Sequence, residues 1–333
     1  MPFITLFSSS LILGSILAIS SSHWVFIWMG LELNLMSFIP LISSSQTNSE
    51  AEASMKYFLA QASGSGLILL GSLSYFITPQ LFLSQNVFSM VLFLGLLTKL
   101  GLPPCHFWFP SVMSLISWPM CIILTSWQKL VPMFILAYTI TPGMNKMLLM
   151  VIISSSLLGG LGGLNQTQLR PLMAYSSIGH MSWMLAASTS SYSSCLIYLF
   201  TYILISIPLM LLLHSTSSLT SVVSSKILPS QASSSIILCL LLMSLGGLPP
   251  FLGFFPKWMV VETLSSSFII VIFITLLGSV INLFYYLNLM FMNLLSTSHI
   301  TLINSKSVKK PQLFFPLLST ITLGVGPLMF LMI

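Results

Sequence analysis

The sequence predicts an all-α polytopic membrane protein, and its composition and the length of its apolar runs lead to that fold class. Of the 333 residues, 56% are hydrophobic and only 4% are charged, with a mean hydropathy of +1.03. About a quarter of the residues in a soluble domain are charged, so this chain could not cover a water-exposed surface. Its apolar runs are unbroken and about 20 residues long, as bilayer-crossing helices require. The segments of a membrane β-barrel are roughly half that length and alternate in polarity.

Counted at about 20 residues per span, the chain contains about eleven predicted transmembrane helices. They form a single transmembrane domain, 1–333, made of a first set (1–140), a second set (147–295) and an appended C-terminal helix (312–333). Polar stretches at Ser43–Glu52 and Ser215–Ser235 separate neighbouring runs. The predicted spans are Phe3–Ser20, His23–Ile42, Tyr57–Ile77, Val87–Met113, Met120–Thr139, Met147–Leu164, Pro171–Ala187, Cys195–Leu213, Ile236–Glu262, Phe268–Leu294 and Leu313–Ile333.

The fourth and ninth predicted spans each contain the segment Gly-Leu-Pro-Pro, at 101–104 and 247–250. Lys99 precedes the first copy and Lys257 follows the second. Proline removes a backbone donor and clashes with the preceding turn, so each helix should be interrupted there. Inside a bilayer such a break is tolerated only where protein or a water-filled cavity satisfies the freed carbonyls. Two broken helices at corresponding positions indicate a transport pathway.

The two copies lie five spans apart, and an odd offset means that the second enters the bilayer from the opposite face. The pattern therefore predicts two inverted-topology five-helix repeats, each with a Pro-broken helix. Identity between the halves is slight outside this segment, so a chance match is the alternative. On this arrangement His180, in the seventh span, corresponds to the helix that carries Glu32.

The loop charges predict the orientation of the chain. Lys and Arg collect on the side from which helices are inserted. The predicted loops on the N-terminal side contain six basic residues, whereas the opposite side contains only Lys146. The N-terminus should therefore face the insertion compartment, and an odd number of spans places the C-terminus across the membrane. The six basic residues are Lys56, Arg170, Lys226, Lys306, Lys309 and Lys310.

Four ionisable residues fall within predicted spans: Glu32, Lys99, Lys129 and Lys257. Each charge at mid-bilayer costs on the order of 2.5–3.5 kcal/mol, so all four should face the protein interior, where they are paired or hydrated. A static ion pair that fixes helix register would account for Glu32 with one lysine and leave two lysines without an acidic partner. Because nearby charges alter one another's proton affinity, a row of this kind suits proton relay.

Two histidines are secondary relay candidates. His106 follows the first break, and His180 lies within the seventh predicted span. Histidine titrates near neutrality, so either could extend a relay, and a hydrogen-bonded packing role is the alternative for each. The glycine run 159–163 contains a small-xxx-small spacing that permits close helix contact, and helix packing is the predicted role.

Several kinds of site are not predicted. The four cysteines are scattered without a CxxC pair, so the sequence suggests neither a disulfide framework nor a metal site. It contains no Walker or dinucleotide motif and no pattern for haem or cluster ligation. Ten basic residues are too few for a nucleic-acid surface. We therefore expect no cofactor, no metal and no nucleic-acid partner.

Short motifs run in order through the chain from Ser20 to Tyr286. They are Trp28–Asn34, Glu52–Leu59, Lys99–Gly101 with His106–Trp108, Trp127–Leu130, Gly162–Arg170, Ala174–Ile178 with His180–Met181, and Gly246–Pro250 with Pro256–Trp258. Together they resemble the chain 2 family of NADH-ubiquinone oxidoreductase, the mitochondrially encoded, antiporter-like membrane subunits of respiratory complex I. The last forty-odd residues match this family in little beyond hydrophobicity.

The resemblance implies specific roles for the buried charges. Glu32 and Lys99 would form the family's carboxylate–lysine pair in the first half-channel. Lys129 would be the central relay lysine, and Lys257 the terminal one in the second half-channel. His106 and His180 would match positions on the buried polar axis of the family. The list of implied proton-relay residues is Glu32, Lys99, Lys129 and Lys257, with His106 and His180 as secondary candidates.

The resemblance also implies an assembly and a location. The partners would be other membrane-arm and accessory subunits of complex I and membrane lipids, with protons and water as the transported species. The chain would lie in the mitochondrial inner membrane, with its N-terminus on the matrix side and its C-terminus on the intermembrane-space side. It would bind no cofactor and carry no redox centre of its own. One departure is Asn288, where some animal relatives are expected to have Arg. It puts in doubt the contribution of that cation to the tenth span and leaves the roles of the three buried lysines unchanged.

The predicted function is therefore that of a proton-translocating membrane-arm subunit of NADH:ubiquinone oxidoreductase, driven by redox chemistry elsewhere in the complex. Two alternatives remain. One is a subunit of a multisubunit sodium/proton antiporter, which co-purification with flavin and iron–sulfur subunits would exclude. The other is a non-pumping structural membrane scaffold. For a scaffold, Glu32→Gln would weaken assembly without a separate effect on pumping.

Overall fold

A computed structural model describes residues 2–45, 47–77, 85–139, 145–215, 232–249, 251–265 and 268–300. Every regular element within these ranges is helical. A 3-10 turn, Ser43–Ser45, follows the second α-helix. The α-helices are α1 (Pro2–Ser20), α2 (Trp24–Ile42), α3 (Asn48–Ile77), α4 (Gln85–Leu100), α5 (Trp108–Leu115), α6 (Trp118–Thr125), α7 (Trp127–Thr139), α8 (Asn145–Leu164), α9 (Leu169–Ser190), α10 (Tyr192–Ser215), α11 (Ala232–Gly246), α12 (Phe254–Leu264) and α13 (Ile269–Ile300).

The helices are those of a membrane protein. Among the described residues, six helical segments are long and apolar enough to cross a membrane, with α6 and α7 counted together as one segment, Trp118–Thr139. Two shorter apolar helices are Ser89–Leu100 and Ser235–Gly246. The predicted all-α membrane fold is thus confirmed. The count of eleven spans stays a prediction, because the eleventh, Leu313–Ile333, and most of the linker Ser215–Ser235 lie outside the described residues.

Both predicted Pro-breaks are present, and a third break was not predicted. The fourth predicted span is divided into α4 and α5, and the ninth into α11 and α12. The predicted span Met120–Thr139 is present as the apolar segment Trp118–Thr139, but it is interrupted at Ser126, where α6 ends before this residue and α7 begins after it. The Ser126 hydroxyl donates to the Ile122 carbonyl at 2.6 Å. Side-chain oxygens that bond back to a helix compete with its own ladder and bend it.

The third helix begins earlier than predicted. We predicted a polar loop over Ser43–Glu52 and a helix from Tyr57, whereas α3 begins at Asn48. The Thr47 hydroxyl accepts the Glu50 backbone N–H at 3.4 Å, and the Thr47 carbonyl accepts the Ala51 N–H at 3.1 Å. Thr47 therefore caps the helix, which places Glu50 and the exposed Glu52–Lys56 ion pair on its first turns.

The chain divides into two compact units, Met1–Val151 and Ile152–Ile333. In the first unit α1 packs on α2, α3 packs on α2 and α4, and α7 packs on α4 and α6. In the second unit α9 packs on α10, α12 and α13, and α11 packs on α10 and α13. Large side chains fill the interior of each unit: Phe38, Tyr57 and Phe109 in the first, and Trp183, Tyr198 and Tyr286 in the second.

The glycine run of α8 permits close packing within the second unit, as predicted. A Cβ atom on Gly159 would lie 2.6 Å from the backbone nitrogen of Gly179 on α9. On Gly160 it would lie 3.1 Å from the Cβ atom of Ile281 on α13. Real Cβ atoms do not approach backbone this closely, so only glycine allows α8 and α9 to approach each other this closely here.

Candidate functional site

The three lysines predicted to face the interior are buried. Lys99 is 6% exposed, Lys129 is 4% exposed and Lys257 is 8% exposed. Each lies on a helical turn next to an interruption. Lys99 is in the last turn of α4, Lys129 follows the break at Ser126 in the first turn of α7, and Lys257 is in the first turn of α12. Helix interruption and buried positive charge thus coincide three times.

The first break begins with a left-handed glycine cap. Gly101 has a φ of +69°, a conformation that suits glycine because it has no side chain. Its N–H donates to the Thr98 carbonyl at 3.2 Å, and the Leu102 N–H donates to the Leu97 carbonyl at 3.0 Å. These two bonds form a Schellman motif, which ends a helix and satisfies its last carbonyls.

Two side chains also donate to carbonyls at this break, one of them to the Thr98 carbonyl that already accepts the Gly101 N–H. The Trp108 indole N–H donates to the Thr98 carbonyl at 3.0 Å, and the Gln61 amide donates to the Lys99 carbonyl at 3.1 Å. Protein groups therefore replace the missing helical donors, which is the condition for a broken helix in hydrocarbon. The Lys99 turn is held in place by α3 and α5 and not only by its own helix.

The second break has the same cap at the equivalent glycine of the repeated segment. Gly247 has a φ of +78°. Its N–H donates to the Ser244 carbonyl at 3.1 Å, and the Leu248 N–H donates to the Met243 carbonyl at 3.4 Å. These two bonds correspond to the two at the first break, and the Gly247 N–H is also shared with the Met243 carbonyl at 3.1 Å. Pro250 lies outside the described residues.

At the second break a lysine supplies the missing donor. The Lys257 ammonium donates to the Gly246 carbonyl, the last residue of α11, at 2.7 Å. A Cβ atom on Gly247 would lie 2.7 Å from the same nitrogen, so a larger residue there would displace the ammonium. The bond joins the two halves of the broken helix through a group that can gain or lose a proton.

Glu32 lies near the middle of α2 and makes no direct pair with Lys99. One of its carboxylate oxygens, Oε2, is buried without a hydrogen-bond partner. The carboxylate interacts electrostatically with Lys99 and Tyr57, but no salt bridge within 4.0 Å joins Glu32 to a cation in the described ranges. The static ion pair considered from the sequence is therefore not formed in this structure.

Lys129 lies beside an aromatic ring and a polar bridge. Its ammonium is 4.9 Å from the centroid of the Phe109 ring, within the range of a cation–π contact. The adjacent Gln128 donates to the Asn34 amide oxygen at 2.9 Å and accepts from the Tyr57 hydroxyl at 3.3 Å. Gln128 belongs to the motif Trp127–Leu130 without a predicted role, and its bonds to distant segments could not be predicted.

The two histidines have different surroundings. His106 is buried in the break between α4 and α5, and its ring centroid lies 4.1 Å from that of Phe107. His180 is buried on α9, with Nδ1 3.2 Å from the Tyr198 hydroxyl and the ring centroid 5.2 Å from that of Tyr202. Both histidines are buried, and their part in a relay stays a prediction.

A small cavity adjoins His180 in the second unit. It has room for the centre of about one water molecule, about 10 Å³. Its polar wall includes His180, Tyr198, Tyr202 and Ser244, and Gly253 and Pro256 bring it to the second break. The sequence analysis did not identify the tyrosines of this wall, because tyrosine at helical spacing is indistinguishable from ordinary core packing.

The comparisons with known proteins identify the family. The family model described as "NADH:quinone oxidoreductase/Mrp antiporter, TM" matches residues 21–282. The chain belongs to this family. It is 40% identical over 331 residues to NADH-ubiquinone oxidoreductase chain 2 of Lumbricus terrestris, a match that covers 99% of this chain and 98% of the relative. It is 39% identical over 334 residues to the same-named protein of Xenopus laevis, covering 96% of each.

Solved structures of this antiporter family and its relatives share the fold. A chain of respiratory complex I from Thermus thermophilus matches with a TM-score of 0.81 at 22% identity, covering 98% of this chain and 78% of that one. A chain of the Mrp complex from a Dietzia species matches with a TM-score of 0.75 at 16% identity, covering 84% of this chain and 58% of that one. At these identities the likeness establishes the fold alone. The buried lysines thus lie in an antiporter-type membrane fold.

Proposed function

We propose that this chain is an antiporter-like, proton-translocating membrane-arm subunit of NADH:ubiquinone oxidoreductase in the mitochondrial inner membrane. Redox chemistry elsewhere in the complex drives it, and it has no redox centre of its own. The near-full-length relatives that carry the NADH-ubiquinone oxidoreductase name support this assembly. The observation that carries the proposal is the burial of Lys99, Lys129 and Lys257, each beside a helix interruption.

The proposed mechanism is a proton relay through these groups. A change in the charge state of the Glu32–Lys99 pair alters the proton affinity of Lys129, which passes its proton on toward Lys257. The Glu32 carboxylate interacts electrostatically with Lys99 without a direct salt bridge in the described residues, so the charge of each group affects the proton affinity of the other. At Lys257 the gain or loss of a proton changes the bond to the Gly246 carbonyl. His106 and His180 are secondary members of the relay.

The proposed topology has eleven spans in one transmembrane domain. Two inverted five-helix repeats, 1–140 and 147–295, are followed by a C-terminal helix at 312–333. The matching glycine caps at Gly101 and Gly247 support the repeat. The N-terminus lies on the matrix side and the C-terminus on the intermembrane-space side. Membrane lipids and the other membrane-arm and accessory subunits surround the chain, and protons and water are the species that it transports.

A second candidate is a subunit of a multisubunit sodium/proton antiporter, which the likeness to the Mrp chain favours. The two candidates predict different neighbours. Complex I membership predicts that the chain co-purifies with flavin and iron–sulfur subunits, whereas antiporter membership predicts co-purification with membrane subunits alone. The near-full-length match to a relative named NADH-ubiquinone oxidoreductase chain 2 favours the first candidate.

Glu32→Gln distinguishes a relay from a non-pumping scaffold. Because Glu32 makes no salt bridge in the described structure, its replacement by the neutral glutamine of similar size breaks no direct ion pair and should not weaken assembly. We expect a normal amount of assembled complex, with a lower number of protons pumped per electron. The measurement is proton pumping by reconstituted complex, divided by NADH oxidation.

The matched control is Glu52→Gln on α3. Glu52 is exposed and pairs with Lys56 at 2.6 Å, and a surface pair of this kind contributes at most about 1 kcal/mol. We expect this variant to pump normally. If Glu32→Gln reduced the amount of complex but left pumping per assembled complex unchanged, the scaffold would be the better description.

A further inference from the structure

A buried hydrogen-bonded bridge joins three helices of the first unit. Gln128 on α7 donates to the Asn34 side-chain oxygen on α2 at 2.9 Å, and it accepts from the Tyr57 hydroxyl on α3 at 3.3 Å. Asn34 is 3% exposed and Tyr57 is 1% exposed. The bridged residues are 94 and 71 positions apart in sequence, so the bridge belongs to the tertiary fold and to no single helix.

The bridge lies next to two of the proposed relay groups. Gln128 immediately precedes Lys129, and Asn34 lies two residues beyond Glu32 on α2. A shift of Gln128 relative to Asn34 therefore moves the lysine relative to the helix that carries the carboxylate. Both partners of Gln128, Asn34 and Tyr57, are buried, and Gln128 itself is half-buried.

The turn that carries Lys129 is weakly held by its own backbone. The chain is interrupted at Ser126, and the Lys129 N–H bonds the Ser126 carbonyl at 3.3 Å, three residues back. Pro132 lies within α7 and has no N–H, so it cannot donate to the Gln128 carbonyl four residues earlier. With the helical ladder missing a donor on this turn, the side-chain bonds of Gln128 contribute more to its position.

We propose that Gln128 is a positioning residue for Lys129, which ties the lysine-bearing turn to α2 and α3. This inference rests on the proposed relay function and adds a residue to it. Gln128 itself exchanges no proton. Its amide fixes the position of Lys129 relative to α2, the helix that carries Glu32, and so fixes the distance between the two charged groups. A proton donor misplaced by about 1 Å can lose a factor of up to 10² in rate.

The test is Gln128→Met in the assembled complex. Methionine keeps the length and flexibility of glutamine but neither donates to Asn34 nor offers Tyr57 an amide oxygen. We expect a normal amount of complex, unchanged NADH oxidation in uncoupled membranes, and proton translocation through this chain reduced by about tenfold or more. Pumping per electron is measured in parallel for Lys129→Met, which gives the full loss.

Two further variants separate positioning from ordinary packing. The exchange Asn34→Gln with Gln128→Asn keeps the combined length of the two amides, and it should restore at least half of the pumping lost in Gln128→Met. Asn293→Leu is the matched control, because Asn293 is a buried amide that joins α13 to the Ser235 carbonyl of α11. Ser235 lies about 16 Å along α11 from Gly246 at the break, so this variant should pump normally per assembled complex.

The outcomes distinguish the inference from the function on which it rests. If Lys129→Met loses pumping and Gln128→Met does not, the relay stands and the positioning role of Gln128 is wrong. A loss in Gln128→Met that the exchange variant fails to restore also contradicts the role of the hydrogen bonds. If Lys129→Met itself pumps with normal stoichiometry, the proposed function fails and the inference fails with it.

Discussion

Replacement of Lys129 by methionine is expected to abolish proton translocation through this chain while the complex still assembles. Lys129 is almost fully buried, and its ammonium contacts the Phe109 ring. Methionine fills a similar volume without charge, so the fold loses a buried cation that is expensive in hydrocarbon. A group that transfers protons commonly contributes a factor of about 10²–10⁴ in rate. The measurement is the number of protons pumped per electron in vesicles that contain the variant complex.

Lys129→Arg tests whether the charge or the exchangeable proton matters. Arginine keeps the positive charge but does not release its proton in proteins. A relay predicts that this variant also loses translocation, whereas a static charge that stabilises the fold predicts normal pumping. Lys146→Met removes an exposed lysine at the start of α8 and should change nothing. An undiminished number of protons pumped per electron in Lys129→Met would contradict the proposed proton relay in this chain.

Gly253→Ala is expected to destabilise the second unit and to lower the amount of assembled complex several-fold. Gly253 precedes α12, and a Cβ atom there would overlap the Ser244 carbonyl oxygen and lie 2.9 Å from the Ser244 carbonyl carbon. These are backbone atoms in the last turn of α11, the turn whose final carbonyl accepts the Lys257 bond. Overpacking against such a rigid neighbour costs about 1–3 kcal/mol or more, enough to lower the amount of a membrane complex several-fold.

Gly66→Ala provides the same chemical change in open space. Apart from the backbone of its own helix, no heavy atom lies within 4 Å of a Cβ built on Gly66 of α3, and alanine in a helix interior is favoured over glycine by about 1 kcal/mol. We expect normal or slightly higher amounts of complex for Gly66→Ala and a severe reduction for Gly253→Ala. Native gels and thermal inactivation measure both. Equal amounts of the two variants would contradict the close packing of the broken helix.

The features that were predictable from sequence are those that the covalent structure imposes. Pro103 and Pro249 have no N–H and closely follow a glycine that can adopt a left-handed cap, so an interruption was expected at each of these segments. Lysines placed in hydrocarbon had to face inward, and Lys99, Lys129 and Lys257 do so. Family resemblance added their expected roles, which remain proposals.

Other features depended on side-chain bonds whose signals were weak. The break at Ser126 lacks Pro and Gly, and Thr125 and Ser126, which bond back to α6, were its only local signal. Thr47 followed three residues later by Glu50 matches a capping box and could have placed the start of α3 correctly. The Gln128 bridge joins residues more than seventy positions apart and leaves no local pattern to detect.

The central claim is that buried ionisable side chains beside interrupted helices exchange protons. A density map of the assembled complex that resolves water molecules tests it most directly. We expect ordered water within hydrogen-bonding distance that connects Glu32 and Lys99 to Lys129, and Lys129 to Lys257. Dry, packed apolar side chains between these groups in every state of the working complex would contradict the relay.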